Sequence, residues 1–356
     1  MSHIESDPDN GTEATSGAGL AEADPPVSWR AVAQAMVFPL FFVLMFSLCY
    51  ISAFHHPTPH NAVVTLVGPQ AQTEATAKSI EASSGDMFDI RTSESLAGPL
   101  KALEERDQIG AIQLGRTLTV HTASAGGQAT STVVQRLGQQ LGDASGLKVT
   151  VNDHVPLPEG DSTGTAAFYF LIICTLGGYL TITVLSQVAP TMSVPKQLIP
   201  LAVLSALTPC IVLAIGGWVI GAYSGTAAGI AATIAIGAVY AFTIGVVAIL
   251  FNLLFKQAAI FFVMTVAVFL NFPSSGGAIA APMLPAFWSF LNTFWLGAGA
   301  MDSVHAVLYF NGAGVGRGLL IIGCWLLVAM AGILLFKGRA RRIASTKPPT
   351  VAVSVV

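Results

Sequence analysis

Between Thr165 and Phe336 the chain carries only four acidic or basic side chains, Lys196, Lys256, Asp302 and Arg317. Each falls between long apolar runs rather than inside one. An ionisable group near the centre of a bilayer costs about 2.5 to 3.5 kcal/mol on insertion scales, so a stretch this clean reads as a polytopic membrane domain. Composition agrees, with 53% hydrophobic and 10% charged residues against about 25% charged in a soluble domain.

The net charge of −3 averages unlike segments. Residues 1–29 hold six acids and no Lys or Arg, and residues 54–164 hold twelve acids and seven bases. The remainder, with Arg30, holds nine bases and one acid. No basic patch interleaved with aromatics occurs, which argues against nucleic acid as a partner. The four cysteines, Cys49, Cys174, Cys210 and Cys324, all lie in apolar runs, so no disulfide framework is expected.

Residues 1–27 are acidic, rich in Gly, Ser and Pro and poor in aromatics, the composition of a disordered tail. The first apolar run, from about Ala31 to Phe54, lacks a basic leader and a good small-residue cleavage site, so it reads as an uncleaved anchor. Later runs cover 166–188, 199–221, 226–250, 257–272 and 316–336. At about 20 residues per helix these make six spans, the fifth of them short. Between the last two, Asn271-Phe-Pro-Ser-Ser-Gly-Gly277 stops a helix. The piece from Ala281 to Ala300 is apolar but broken by Pro282 and Pro285 at its start and Gly297 and Gly299 at its end. It is expected to form two short helices dipping into one leaflet.

Basic residues set the orientation. With six spans and both ends inside, the short inner segments hold Arg30, Lys196, Lys256, Lys337, Arg339, Arg341, Arg342 and Lys347, and the short outer ones only Arg317. Residues 55–163 then lie outside. Their alternating β-branched runs and helical stretches follow the order βαβαββαβ, with strands near 61–67, 87–91, 109–114, 117–121 and 147–151 and helices near 72–82, 95–106 and 130–141.

The expected fold is therefore an α-helical polytopic membrane protein, with six transmembrane helices plus a re-entrant helical pair at about 281–300. A small α/β extracytoplasmic domain is inserted between helices 1 and 2. The segments are a disordered acidic cytoplasmic tail (1–29), helix 1 (30–54), the α/β domain (55–163), the membrane domain with helices 2–6 (164–337) and a basic cytoplasmic tail (338–356). The location is the cell (inner) membrane, multi-pass, with both termini cytoplasmic.

Ala62-Val-Val-Thr-Leu-Val67, the helix and strand from Leu100 to Leu114, Leu118 to Gly127, and Phe272 to Phe290 with Leu284-Pro-Ala-Phe-Trp288 carry a likeness. Together with the order of anchor, α/β domain and helices, they resemble the membrane subunits of type 2 ABC exporters, nearest the YhgE/Pip group and its actinobacterial relatives. The resemblance covers about residues 30–340. It implies a homodimer or pseudo-dimer, a substrate route between protomers and a separate cytoplasmic ATPase acting on the loop between the second and third spans. In this chain that loop, Gln187 to Gln197, offers Pro190, Met192, Pro195 and Lys196 as the ATPase-contact residues, but no charged amphipathic helix.

No G-x-x-x-x-G-K-[ST] motif occurs, so the chain has no P-loop of its own, and Gly312-x-Gly-x-Gly-x-Gly318 reads as a flexible loop. His55, His56 and His60 are separated by Pro57 and Pro59 and read as a stiff linker rather than a metal site. His121 reads as structural, and Asp302 with His305 as a solvated loop pair. No catalytic arrangement, metal site or cofactor is expected. Gly217-x-x-x-Gly221 closes the third span, and Gly229, Gly237 and Gly245 repeat every eight residues along the fourth. Small residues at this spacing let helix backbones approach closely, marking a helix-packing or dimer face. Phe287, Trp288, Phe290, Phe294 and Trp295 are the candidate substrate path or gate, with the two tryptophans, seven residues apart, expected on one face as an aromatic lid. The expected function is a permease-like subunit of an export system that moves a hydrophobic or amphipathic solute. The alternative is a membrane-anchored receptor or scaffold whose outer domain binds a partner.

Overall fold

A computed structural model of the protein describes residues 28–345, with side chains up to Arg339. The acidic tail over 1–27 and the last part of the basic tail lie outside the described residues. The chain divides into two units, and of the first, which ends at Leu40, the described part is the beginning of one apolar helix. That helix, α1 (Trp29–Phe46), runs through a π-helical turn (Ser47–Ile51) into α2 (Ser52–Phe54).

Within the second unit the α/β domain comes first. Its order is β1 (Ala62–Val67), α3 (Gln70–Ser84), β2 (Phe88–Ser93), α4 (Ala97–Glu104), β3 (Gly110–Gln113), β4 (Leu118–Thr122), α5 (Gln128–Ser145) and β5 (Val149–Asp153). The five strands form one sheet in the order β2-β1-β3-β4-β5, in which only the β3–β4 pair is antiparallel. That pair is joined by the short Gly115-Arg116 turn, while the parallel pairs need helical crossovers. One sheet face carries Val64, Leu66, Ile112, Leu118 and Val120 beneath Ala77 and Ile80 of α3 and Val134 and Leu137 of α5. Alternation along each strand sets this face. Gly138 brings α5 down onto Val120, where a Cβ would stand 2.3 Å from the valine Cγ2.

The membrane helices follow as α6 (Ala166–Val188), α7 (Val194–Leu213, continued by a π-helical segment to Val219), α8 (Ala227–Phe255), α9 (Ala259–Met264), α10 (Asn271–Ser274), α11 (Ala286–Asn292), α12 (Leu296–Tyr309) and α13 (Val315–Ser345). Among the described residues, five helical stretches are long and apolar enough to cross a membrane, Ala227–Ser274 being one of them. This 48-residue stretch is bent back on itself. Lys256, a non-glycine at φ +50°, ends α8. Beyond it Phe262 stacks on Phe255 at 3.8 Å, and further along the Asn271 side chain donates to the Tyr240 hydroxyl at 2.7 Å. α8 and the α9–α10 arm are therefore an antiparallel hairpin.

Helix starts are capped locally. The buried Asp161 carboxylate accepts from the Thr165 and Ala166 backbone N–H groups at 2.9 and 3.0 Å, placing a negative charge at the positive end of α6. The Thr226 hydroxyl accepts from Gly229 N–H at the start of α8. Lipid-facing character is plain on the outer sides of the bundle, where Leu44, Val184, Ile199, Trp218 and Leu335 are exposed. The architecture is that of a helical membrane protein carrying a small α/β domain.

The last helix carries the apolar run 316–336 and continues through Lys337 and Arg339 to Ser345, a length of about 46 Å at 1.5 Å per residue. One expectation about segment ends is corrected. The region 281–300 is not two short helices ended by Gly297 and Gly299. A single 3-10 turn (Ala281–Met283) and α11 are short, but α12 starts at Leu296, buries both glycines and runs on to Tyr309. The glycines continue the helix because each sits where another element presses close. A Cβ on Gly297 would lie 2.6 Å from the Asn271 side chain, and one on Gly299 2.8 Å from Ile321 of α13.

Candidate functional site

Four ionisable groups meet where the α/β domain rests on the helices. Arg106 leaves α4 in the left-handed region at φ +69°, which sends its side chain out of the domain. Its guanidinium pairs with the Asp302 carboxylate of α12 and donates to the Asp302 carbonyl at 3.2 Å. Arg317, in the first turn of α13, stands 3.9 Å from the other carboxylate oxygen. Arg106 also lies over the Phe310 ring, 5.5 Å from its centroid. Phe310 is buried among Leu103, Ala123 and Ala125 of the α/β domain, an apolar plug beside the ionic contact.

These groups border a cavity of about 240 Å³, lined on the helix side by Asn292, Met301, Asp302, His305 and Arg317. A second cavity of about 360 Å³ adjoins it, and the two share Gly126, Gly276, Ala280 and His305. His305 thus stands between them. α12 is not among the long apolar stretches, and at this end it faces the α/β domain. Burial, and then the nearby Arg106 charge, lower the His305 pKa, which keeps the imidazole neutral at pH 7. In the second cavity the buried Tyr309 hydroxyl has no hydrogen-bond partner among the described residues. Asp302 and His305 are accordingly not a solvated loop pair. Asp302 pairs with an arginine 196 residues away, and no bond between it and the histidine is formed.

A polar seam continues among the helices. Tyr240 is fully enclosed, and its hydroxyl bonds Thr175 at 2.6 Å and Asn271 at 2.7 Å. The Asn271 side-chain oxygen accepts from Gly297 N–H at 2.7 Å, satisfying a free donor in the first turn of α12. Asn292 donates to the Ser274 carbonyl at 2.8 Å. Because Val307 and Leu308 lie against Gly229 and Gly225, α12 starts at the middle of α8 and ends at its first turn.

The aromatic set is divided. Phe287, Phe290 and Phe294 are 58, 63 and 41% exposed, whereas Trp288 and Trp295 are 3 and 9% exposed. The tryptophans do not share a helix face, since α11 ends between them. Trp288 Nε1 donates to Ser52 Oγ and Trp295 Nε1 to the Val266 carbonyl, both at 3.2 Å, so each is tied to a different element. Among the glycines, Gly229, Gly237 and Gly245 meet Val307, Phe170 with Pro209, and Leu201 of the same chain. Gly217 lies in the π-helical end of α7, and Gly221 in an open turn at φ +75°, so these two do not form a helix face. Pro190 and Met192 sit in the five-residue link 189–193, and Pro195 and Lys196 are exposed in the first turn of α7.

In the α/β domain, His121 Nδ1 and His154 Nε2 are 2.9 Å apart, and burial followed by the His154 charge lowers the His121 pKa. His55 and His60 bond neighbouring backbone carbonyls, and no group of three metal-binding side chains occurs among the described residues. All four cysteines are free thiols.

Arg106, Tyr240, Tyr309 and Phe310 were not signalled by sequence. The one available hint was that Asp302, the sole acid beyond residue 161, needs a cation. No family model matches the chain, and none of the curated proteins or solved structures is similar enough to match it.

Proposed function

We propose that the protein is a permease-like membrane subunit that passes a hydrophobic or amphipathic solute outward, working as a dimer with a separate cytoplasmic ATPase. The observation that carries this reading is the pair of adjoining cavities between the α/β domain and the helices. Concave sites at such junctions are where small molecules are held. The polar seam from Thr175 to Gly297, whose groups pair with one another, holds the helices beneath these cavities in place. The resemblance to type 2 export permeases points the same way.

In this reading six spans cross the cell membrane: α1, α6, α7, α8, the α9–α10 arm and α13, with α11 and α12 as a re-entrant pair. The hairpin at Lys256 supports the count. Lys196 and Lys256 lie at helix ends away from the α/β domain, and Lys337 in the half of α13 away from it, which supports cytoplasmic termini and an extracytoplasmic domain. The exposed Phe287, Phe290 and Phe294 line the outer approach, with Trp288 and Trp295 holding the frame behind them. The short link bearing Pro190 and Met192, without a helix of its own, favours the second reading, a receptor or scaffold that moves nothing.

Tolerance to a panel of amphipathic toxic compounds separates the two. Cells lacking the protein should lose tolerance to part of the panel. Ala280→Trp, which fills the junction of both cavities, should reproduce that loss at matched expression. Unchanged tolerance in the deletion strain would leave the scaffold reading standing.

A further inference from the structure

We infer that the smaller cavity is a binding site for the anionic head of an amphiphile, a phosphate diester or carboxylate of one negative charge held against Arg106 and Arg317. The inference rests on the permease reading and names the chemical class of its solute. Charge is the first argument. Two guanidiniums and one carboxylate border the cavity, with His305 neutral, so one positive charge is left without a counter-ion. Arg106 and Asp302 are largely covered while Arg317 is half exposed, so the surplus positive charge sits at the mouth of the cavity, where an anion can reach it.

Geometry is the second. Asp302 fixes Arg106 through its carboxylate and its backbone carbonyl, so the guanidinium is held in place before any ligand arrives. Arg317 is at 3.9 Å, outside hydrogen-bond range of Asp302, and its donors remain free for a ligand. The His305 ring, whose nitrogens make no hydrogen bond among the described residues, borders the same space and as a neutral imidazole has one N–H to give an anion. Size is the third. At 240 Å³ the cavity falls below the roughly 300 Å³ at which drug-sized pockets begin, so it suits a head group whose chains stay outside. Leu103, Ile109 and Met301 supply the apolar part of the wall.

The test uses full-length protein in an uncharged detergent, with binding read by calorimetry. Dihexanoyl phosphatidylglycerol is the anionic probe, dihexanoyl phosphatidylcholine the zwitterionic one, and inorganic phosphate the soluble anion. The wild type should bind the first and neither of the others in the same concentration range. Arg317→Gln leaves the Arg106–Asp302 pair intact and should weaken binding about tenfold or more, the loss expected for one charge-assisted contact. Asp302→Asn removes the competing carboxylate and should change affinity in the opposite direction. Arg116→Gln, on an exposed turn of the α/β domain, should change nothing. Equal affinity of wild type and Arg317→Gln for phosphatidylglycerol overturns the site. Inorganic phosphate competing at the concentration of the lipid overturns the amphiphile assignment. If binding holds while the deletion strain shows normal tolerance, the site stands and the transport reading falls.

Discussion

The helix bundle should respond to one added methyl group according to what that methyl meets. Gly178 of α6 and Gly245 of α8 both lie in tight contacts, yet of different kinds. A Cβ on Gly178 would stand 2.1 Å from the backbone oxygen of Ala241, and one on Gly245 would stand 2.2 Å from Cδ1 of Leu201. Ordinary van der Waals contact begins at 3.4 Å, so Gly178→Ala must open the α6–α8 crossing by 3.4 − 2.1 = 1.3 Å. A helical carbonyl cannot turn away without breaking its own hydrogen bond, so whole helices have to shift. Overpacking of this kind costs about 1 to 3 kcal/mol, and a clash with fixed backbone belongs at the upper end. Leu201 can instead move the end of its side chain, at about 0.5 to 1.5 kcal/mol for an off-rotamer position. Gly178→Ala should therefore be less stable than Gly245→Ala by about 2 kcal/mol. Equilibrium unfolding of the purified protein by dodecyl sulfate titrated into neutral micelles measures the difference. Equal stability of the two variants, or the reverse order, would refute the close α6–α8 crossing.

Asn271→Leu removes the acceptor for Gly297 N–H and the bond that Asn271 gives the Tyr240 hydroxyl, which keeps Thr175; the one orphaned buried donor costs about 1 to 3 kcal/mol, unfolding in the same micelles checks it, and an unaltered midpoint would mean the seam is not formed. The lowered pKa of His305 means that as pH falls below about 6.5 the unfolded chain takes up a proton that the folded chain refuses. Stability should then be full above that pH and decline on acidification, by at most about 1.4 kcal/mol per pH unit for this group, and His305→Gln should flatten the decline between pH 7 and pH 5. Reporter fusions at Thr346 should be cytoplasmic and at Ser145 external; an external Thr346 would add a seventh crossing.

Several features were legible from residue order alone because they depend on local chemistry. The scarcity of charge beyond Thr165 requires a bilayer or an apolar interior, and run lengths near 20 residues require helices. Period-two runs such as Ala62–Val67, separated by helical stretches, set the βαβαββαβ order, and the observed strands and helices follow it within a few residues. Gly229, Gly237 and Gly245 announced a close helix face, although not its partners.

What sequence could not determine was which distant groups meet. The partner of Asp302 is Arg106, one of seven bases in the α/β domain, and only the docking of that domain through Phe310 selects it. Asn271, which reads locally as part of a helix stop, becomes the cap of α12 because the hairpin at Lys256 returns it to the level of Tyr240. Gly297 and Gly299 looked like helix breakers and are helix-interior contact points, since glycine weakens an isolated helix but also permits the close approach that packing rewards. Local propensity decides elements. The cavities, the ion pairs and the polar seam arise from contacts between residues far apart in sequence, and these are determined only when the whole chain packs.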